Sequence, residues 1–201
     1  RRPHGRPARS QLIRGAFGAQ GGGVKGSQAE QSRAVNLLFL RRSRKKPEVG
    51  DVFVMRLKDG RNLPGRVVLA DLPRGAAPMP GAYLVYVYRP SPPERRFDFA
   101  QMTPDELLIA PQFINRLGWA RGYYETVANR PLAPEDLLPV HCFWDVTRRS
   151  FCDETGRILA ARSEPCGTWT LGNYLLVDDL VSDALGIPRA YAEGGQSTAG
   201  E

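Results

Sequence analysis

The chain has 201 residues, of which 42% are hydrophobic and 24% are charged, a composition typical of one globular domain with tails. Its formal charge is +7, but residues 1–50 carry 12 Lys and Arg against 2 Asp and Glu, so the remainder holds 28 − 12 = 16 basic and 21 − 2 = 19 acidic residues, a balance of −3. No apolar stretch approaches the ~20 residues of a membrane-spanning helix, so we expect a soluble protein without a membrane partner.

The first part of the chain, residues 1–47, is rich in Gly, Arg, Ser and Gln and has no sustained period. We predict a disordered basic tail with a short helix near residues 29–42. Because the first residue is Arg1 and the first methionine is Met55, a start-site artefact is an alternative interpretation. The apolar run at 35–40 is shorter than the ~7–15 residues of a secretory signal, and we expect a cytoplasmic protein.

The sharpest charge run in this tail is RRSRKK at residues 41–46. Such a run either binds phosphate groups or forms a solvated linker. We favour the linker, because the rest of the chain has no excess of basic residues.

The folded domain is predicted to span residues 48–190, because apolar residues begin to alternate at its start. Large apolar side chains from Phe53 to Leu57 fall on one face of a strand, and Asp59-Gly60 then favours a tight turn. A return strand is expected after Pro64-Gly65, a pair typical of an edge strand or a bulge. These patterns predict a β-hairpin.

Further strands and one helix follow this hairpin. Residues 83–88 are apolar or aromatic on both faces, which predicts a central strand that is covered on both sides. An amphipathic helix is predicted around residues 176–185, with Asn173 as its cap and Gly186 at its end. We therefore predict a mainly β (α+β) fold, as a small curved antiparallel sheet or a partly open barrel with a C-terminal amphipathic helix. Residues 191–201 are expected to form a flexible tail.

Three cysteines, Cys142, Cys152 and Cys166, are odd in number and lack CxxC spacing, which favours small buried side chains in a reducing cytosol. With His141 they could form a Cys₃His zinc site, but the paired spacings of such sites are missing. His141 precedes an aromatic strand, where a partly buried histidine bonded to backbone is favoured over a catalytic base. We therefore predict no catalytic constellation, no metal and no cofactor.

The aromatic residues of the predicted strands offer an alternative function, a nucleic-acid-binding β-barrel module with a basic N-terminal arm. In such a module bases would stack on the sheet. Core packing explains these residues better, because they alternate within apolar strands and a body charged at −3 repels phosphate. We therefore do not expect nucleic acid as the partner, and we interpret the chain as a β-rich module that works by binding a protein.

Four groups of residues follow one another along the chain in a recognisable order. They are Gly50-Asp51-Val52-Phe53 with Leu57, Asp59-Gly60 and Gly65-Arg66-Val67; Trp119 with Gly122, Tyr123 and Tyr124; Phe143 with Asp153-Glu154 and Gly156; and Leu171-Gly172-Asn173-Tyr174. In this order and spacing the chain resembles, from about Pro47 to Pro188, the immunity protein 26 family of bacterial polymorphic toxin systems. The resemblance implies a non-catalytic protein that binds and neutralises one cognate toxin domain, encoded nearby, in the cytoplasm.

The surface that would meet the toxin has two interpretations. If the toxin has a basic cleft, acidic side chains are its natural complement. The acidic candidates are Asp153, Glu154, Asp178, Asp179 and Asp183. Alternatively, Trp119 or Trp169 provides an aromatic anchor, because interface hot spots favour Trp, Tyr and Arg. For Asp51 and Arg66, a structural pair and a contact with the partner both stay open.

Overall fold

A computed structural model describes residues 33–73, 75, 77–91 and 99–190. The alternating residues after Gly50 form strand β1 (Asp51–Arg56), and the chain returns through a turn into β2 (Asn62–Leu69). Gly60 in this turn has a φ of 91°, a left-handed conformation that glycine adopts without steric cost. The predicted hairpin is confirmed.

Seven shorter strands follow along the described chain. They are β3 (Tyr83–Val87), β4 (Gln112–Ile114), β5 (Glu125–Asn129), β6 (Cys142–Asp145), β7 (Ser150–Cys152), β8 (Cys166–Thr168) and β9 (Leu171–Gly172). Six strands form one sheet in the order β5-β1-β2-β3-β4-β9, and three form a second sheet in the order β7-β6-β8. Neighbouring strands are antiparallel except for the parallel pairs β4–β9 and β6–β8. The mainly β fold is confirmed, as two sheets that do not close into a barrel within the described residues.

Strand β3 lies inside the larger sheet, and all five of its residues are buried. Because successive side chains of a strand point to opposite faces, this sheet has a core on each side. Val85 and Phe53 belong to one core, which we call the helix-side core. Tyr86 and Phe113 belong to the other, which also contains Phe143 of the second sheet and which we call the sheet-side core. The prediction of a central strand covered on both sides is confirmed.

Helices α1 (Leu117–Arg121) and α2 (Tyr174–Leu185) complete the described elements, together with single 3₁₀ turns. Asn173 caps α2 by accepting a hydrogen bond from the backbone N–H of Leu175 at 2.8 Å, and Gly186 ends the helix in a left-handed conformation. Val177 of α2 is buried in the helix-side core. The predicted amphipathic helix and its cap are confirmed. Neither helix of the described chain has the length and apolar character that a membrane crossing requires.

Pro64 and Gly65 do not mark a sheet edge, which corrects the expectation for this pair. Both residues lie within β2, between β1 and β3. The carbonyl of Pro64 accepts a hydrogen bond from the backbone N–H of Tyr88 at 2.9 Å. A Cβ at position 65 would overlap the ring of Phe53, so the glycine makes room for that side chain. This packing demand is not visible in a local pattern.

Residues 33–47 fall within the predicted tail, but they lie against the domain. Val35 and Leu37 are buried in the helix-side core, and Leu37 pairs with Leu57 in an antiparallel bridge. No helix forms between residues 33 and 42. The prediction of disorder is wrong for this part, because two alternating apolar residues are too few to reveal an ordered segment by pattern. The rest of the predicted tails, residues 1–32 and 191–201, lies outside the described residues.

Candidate partner-binding surfaces

Asp178, one of the predicted toxin contacts, holds the segment that precedes β1 in place. Its carboxylate accepts hydrogen bonds from the backbone N–H of Asn36, at 2.9 and 3.1 Å, and from that of Leu37, at 3.1 Å. Asp178 is 1% exposed. Burial raises the pKa of Asp178, although the two backbone donors act in the opposite direction. In this position the carboxylate cannot meet the surface of a partner.

The other two acidic candidates of α2 are also paired within the chain. Asp179 forms an ion pair with Arg33, and Asp183 forms one with Arg189. The hydrogen bond from Arg189 lowers the pKa of Asp183. Asp179 is largely covered, whereas about half of the Asp183 side chain is exposed. Of the three acidic candidates on this helix, Asp183 is therefore the most accessible.

Asp153 and Glu154 lie in the turn that follows β7. Asp153 is buried, and its carboxylate accepts hydrogen bonds from the backbone N–H groups of Thr155 at 2.9 Å and Arg157 at 3.0 Å. Burial raises the pKa of Asp153, but the hydrogen bond from the Thr155 hydroxyl, these two backbone bonds and the bond from the Arg157 guanidinium together outweigh it, so the net shift is downward. Glu154 Oε2 lies 3.1 Å from Nδ1 of His141, and this hydrogen bond lowers the pKa of Glu154.

His141 connects this turn to the larger sheet through a chain of hydrogen bonds. Its Nε2 lies 2.6 Å from the hydroxyl oxygen of Tyr86, which also accepts a hydrogen bond from the backbone N–H of Leu138 at 3.0 Å. Burial raises the pKa of Tyr86 to about 12, so its hydroxyl stays protonated and is able to donate a hydrogen bond to Nε2. The carboxylate of Glu154 can only accept a hydrogen bond, so we assign Nδ1 of His141 as the donor to it. The predicted burial of His141 is confirmed, but its partners are side chains rather than backbone.

Trp119 belongs to the helix-side core and not to the surface. It is 1% exposed, and its ring centroid lies 5.1 Å from that of Phe53 and 5.0 Å from that of Tyr124, in edge-on contacts. Its indole N–H donates a hydrogen bond to the hydroxyl of Thr126 at 3.1 Å. This side chain stabilises the fold and is not accessible as an anchor for a partner.

Trp169 differs from Trp119, because part of its side chain reaches the surface. Its ring packs edge-on against Phe113, at a centroid distance of 5.1 Å. The accessible part lines an open cleft of about 600 Å³, beside Met79 and Val146, which are 53% and 65% exposed. Sequence reasoning missed both as surface residues. Met79 is a single apolar residue in a loop, and Val146 continues the predicted strand pattern, although the strand itself ends at Asp145.

A second cleft, which we call the basic cleft, lies between residues 41–47 and strand β5. It measures about 580 Å³. The backbone of its basic wall is fixed, since Leu40 donates a hydrogen bond to the carbonyl of Gly122 at 2.7 Å and Ser43 donates one to the carbonyl of Trp119 at 2.9 Å. The run at residues 41–46, which we expected to be a solvated linker, is exposed to solvent but is attached to the domain.

Asp51 and Arg66 are both buried, which decides between the two roles left open for them. Asp51 accepts hydrogen bonds from the side-chain amide of Asn129 at 2.8 Å and from the backbone N–H of Glu48 at 3.0 Å. Arg66 forms an ion pair with Asp136 at 3.1 Å. Both residues therefore act within the fold, and they do so with separate partners.

Cys142 and Cys166 face each other across the parallel strands β6 and β8, with 3.1 Å between their Sγ atoms. Cys152 instead belongs to the sheet-side core, and all three are free thiols. Burial raises the pKa of Cys166 to about 12. Among the described residues, no three His, Cys, Asp or Glu side chains are arranged to hold a metal ion.

Residues 48–153 match the family model described as Immunity protein 26. The matched region holds 153 − 48 + 1 = 106 of the 201 residues, which is more than half of the chain. It contains strands β1 to β7, begins after residues 41–47 and ends before β8 and α2. No curated protein and no solved structure matches the chain.

Proposed function

This chain belongs to the immunity protein 26 family, and we propose that it binds and neutralises the toxin domain of a bacterial polymorphic toxin encoded beside its gene. The family match over residues 48–153 is the observation that carries this proposal. The match includes the hairpin and seven of the nine described strands, so it covers most of the scaffold from which a binding surface is presented.

Neutralisation is proposed to act by occupation of the toxin and not by chemical modification. Within the part of the chain that the structure describes, the side chains of His141, Tyr86 and Glu154 come closest to a catalytic constellation, because they form one chain of hydrogen bonds. Their hydrogen bonds are made within the fold, and both His141 and Tyr86 are buried. A general acid or base must come within hydrogen-bonding reach of its substrate, and this arrangement favours a structural role.

The cytoplasm is the proposed place of action. Cys142, Cys152 and Cys166 are free thiols, the state that a reducing compartment maintains. An antidote also has to be present where its toxin would otherwise damage the producing cell.

Trp169 stays a proposed contact with the toxin. Its accessible ring and the exposed side chains of Met79 and Val146 combine aromatic and apolar surface, as interface hot spots do. Glu154 and Asp183 keep partial exposure, but each already has a partner within the chain. A Met79→Ser, Val146→Ser double variant leaves Trp169 in its core contacts, and we expect it to weaken toxin binding.

Titration of toxin activity with the purified full chain tests the proposed function. If the protein inhibits the toxin by reversible binding, inhibition should saturate at one molecule of this protein per toxin, and the toxin should regain full activity when the complex dissociates. Irreversible inactivation by substoichiometric amounts would contradict the non-catalytic mode. Failure to protect cells that co-express the neighbouring toxin would contradict the function itself, and an unrelated toxin of the same chemistry is the control for specificity.

A further inference from the structure

The basic cleft carries an excess of positive charge. Five of its lining side chains are basic and exposed, and they are Arg41, Arg42, Arg44, Lys45 and Lys46. The two lysines form surface ion pairs at 3.3 and 3.2 Å, whereas the three arginines have no ion-pair partner among the described residues. The family match begins at residue 48, so it does not account for this wall of the cleft.

The fold presents this charge on a fixed backbone. Gly122, whose carbonyl accepts the hydrogen bond from Leu40, has a φ of 88°. A Cβ at this position would lie 2.5 Å from Cε2 of Phe39, so the chain before the arginines packs directly on the glycine. The guanidinium of Arg42 lies 5.9 Å from the ring centroid of Phe39. Because the backbone of this segment is already ordered, binding a partner costs the segment less conformational entropy.

Strand β5 forms the opposite wall, and it is the terminal strand of the larger sheet. The register between β1 and β5 shifts between Val52 and Phe53, and Val127 has no partner in β1. Val127 is 49% exposed. A bulge in an edge strand opposes the regular addition of another strand. Side-chain charge, rather than backbone pairing, is therefore the main attraction that this cleft offers.

We propose that the basic cleft binds an acidic surface segment of the cognate toxin, with ion pairs to Arg41, Arg42 and Arg44. This inference rests on the proposed function and assigns to it a second contact surface, which shares no lining residue with the cleft beside Trp169. A guanidinium matches a carboxylate with two parallel hydrogen bonds, which gives geometric selectivity as well as charge. The excess of positive charge in the cleft also steers an oppositely charged partner and raises the association rate.

The lining of the cleft favours a peptide over a nucleic acid. Single-stranded nucleic acids are held by aromatic side chains that stack on the bases, and none of the residues that line this cleft is aromatic. Val127 adds apolar contact area next to the charged wall.

Two charge-matched variants of the full chain test the proposal. The cleft variant carries Arg41→Gln, Arg42→Gln and Arg44→Gln, and the control carries Lys58→Gln, Arg89→Gln and Arg162→Gln at exposed positions away from the cleft. Each variant loses three positive charges. We expect the cleft variant to bind the toxin domain about tenfold more weakly or worse, mostly through slower association, and the control to stay within about twofold of wild type. The affinity of the cleft variant should also depend less on salt between about 50 and 300 mM.

The outcomes separate this inference from the function on which it rests. If wild type binds the toxin and the cleft variant binds as tightly as the control, the cleft assignment is overturned and the function stands. If wild type itself fails to bind, the function fails first. Fluorescent single-stranded and duplex DNA are the second probe. Cleft-dependent binding of DNA with unchanged toxin affinity would overturn the proposal in favour of a nucleic-acid site. Urea midpoints of both variants that match the midpoint of wild type verify that the substitutions leave the fold intact.

Discussion

Replacement of Asp178 by alanine is expected to destabilise the fold and to release the segment before β1. The substitution leaves the backbone N–H groups of Asn36 and Leu37 without their acceptor, next to the buried side chain of Leu37. A buried donor without a partner costs about 1–3 kcal/mol, so the two together cost roughly 2–6 kcal/mol. The variant no longer buries a carboxylate, which offsets part of this cost. We expect a net loss of about 2–4 kcal/mol in the free energy of unfolding.

Asp179→Ala is the matched control, because it removes the adjacent carboxylate of the same helix. Asp179 pairs with Arg33 near the surface, and such pairs typically contribute only ~0–1 kcal/mol. Asp178→Asn keeps one acceptor oxygen and should fall between the two alanine variants. Urea denaturation at neutral pH measures all three free energies of unfolding. If Asp178→Ala costs no more than Asp179→Ala, the carboxylate does not anchor the segment and the reasoning from its hydrogen bonds is refuted.

The pH dependence of stability gives an independent check on Asp178. Its pKa in the folded protein is raised above the ordinary value of 3.8, so the folded protein holds this proton more tightly than the unfolded chain does. The contribution of Asp178 to the free energy of unfolding is therefore greatest at low pH and falls as the pH rises through the folded pKa. At higher pH the contribution stays at this lower level. Between about pH 4 and 7, wild type should lose stability relative to Asp178→Asn. A gain over that range would show that burial does not dominate the energetics of this carboxylate.

Three further predictions follow from particular contacts. Gly122→Ala places a Cβ at a left-handed φ of 88° and against the ring of Phe39, whereas Gly75→Ala has a similar φ of 90° but open space around it. Gly122→Ala should therefore lower the free energy of unfolding by more than Gly75→Ala does. Equal losses would show that the overlap with Phe39 is relieved. The pKa of Glu154 is lowered from 4.5, so its stabilising contribution should be lost as the pH falls through the folded pKa, and Glu154→Gln should remove this acid sensitivity in a pH series of denaturation curves. Oxidised glutathione should join Cys142 to Cys166 by thiol–disulfide exchange and leave as reduced glutathione. The exchange should be slow, because the raised pKa of Cys166 keeps its thiolate scarce. Mass spectrometry should show the loss of two hydrogen atoms from the protein, and Cys166→Ser should prevent this loss.

The parts of the fold that the sequence predicts well are those whose signals are local. Alternation from Phe53 to Leu57 and the turn glycine at position 60 lie within a few residues of each other, and they form the expected hairpin. The same holds for Asn173 and Gly186, which bracket α2 at the expected positions. In each case the residues that form the element also carry the information that defines it.

The candidate contacts were harder to predict, because their roles depend on distant partners. Asp178 lies 142 positions along the chain from Asn36, and nothing in its helical pattern indicates that its carboxylate faces the core. Trp119 and Trp169 are both tryptophans near turns, yet the first fills the helix-side core while the second reaches the surface. Composition and spacing identify residue types that suit an interface. Only burial in the fold shows which of these residues are accessible to a partner.

The distribution of charge is the clearest example of this difference. By composition the excess of basic residues belongs to a tail and the body is acidic. The expectation of an acidic binding face followed from the assumption that the toxin has a basic cleft. In the structure, acidic residues of the body hold the chain together, as Asp178 does for residues 36 and 37 and Asp153 does for its own turn. The arginines at 41, 42 and 44 lie next to Leu40 and Ser43, whose backbone N–H groups bond to the domain, and they keep their charges exposed. A carboxylate that accepts backbone hydrogen bonds is occupied, whereas these guanidinium groups have no ion-pair partner in the described part of the chain. The field available to a partner at this edge is therefore positive, although the body as a whole is negative.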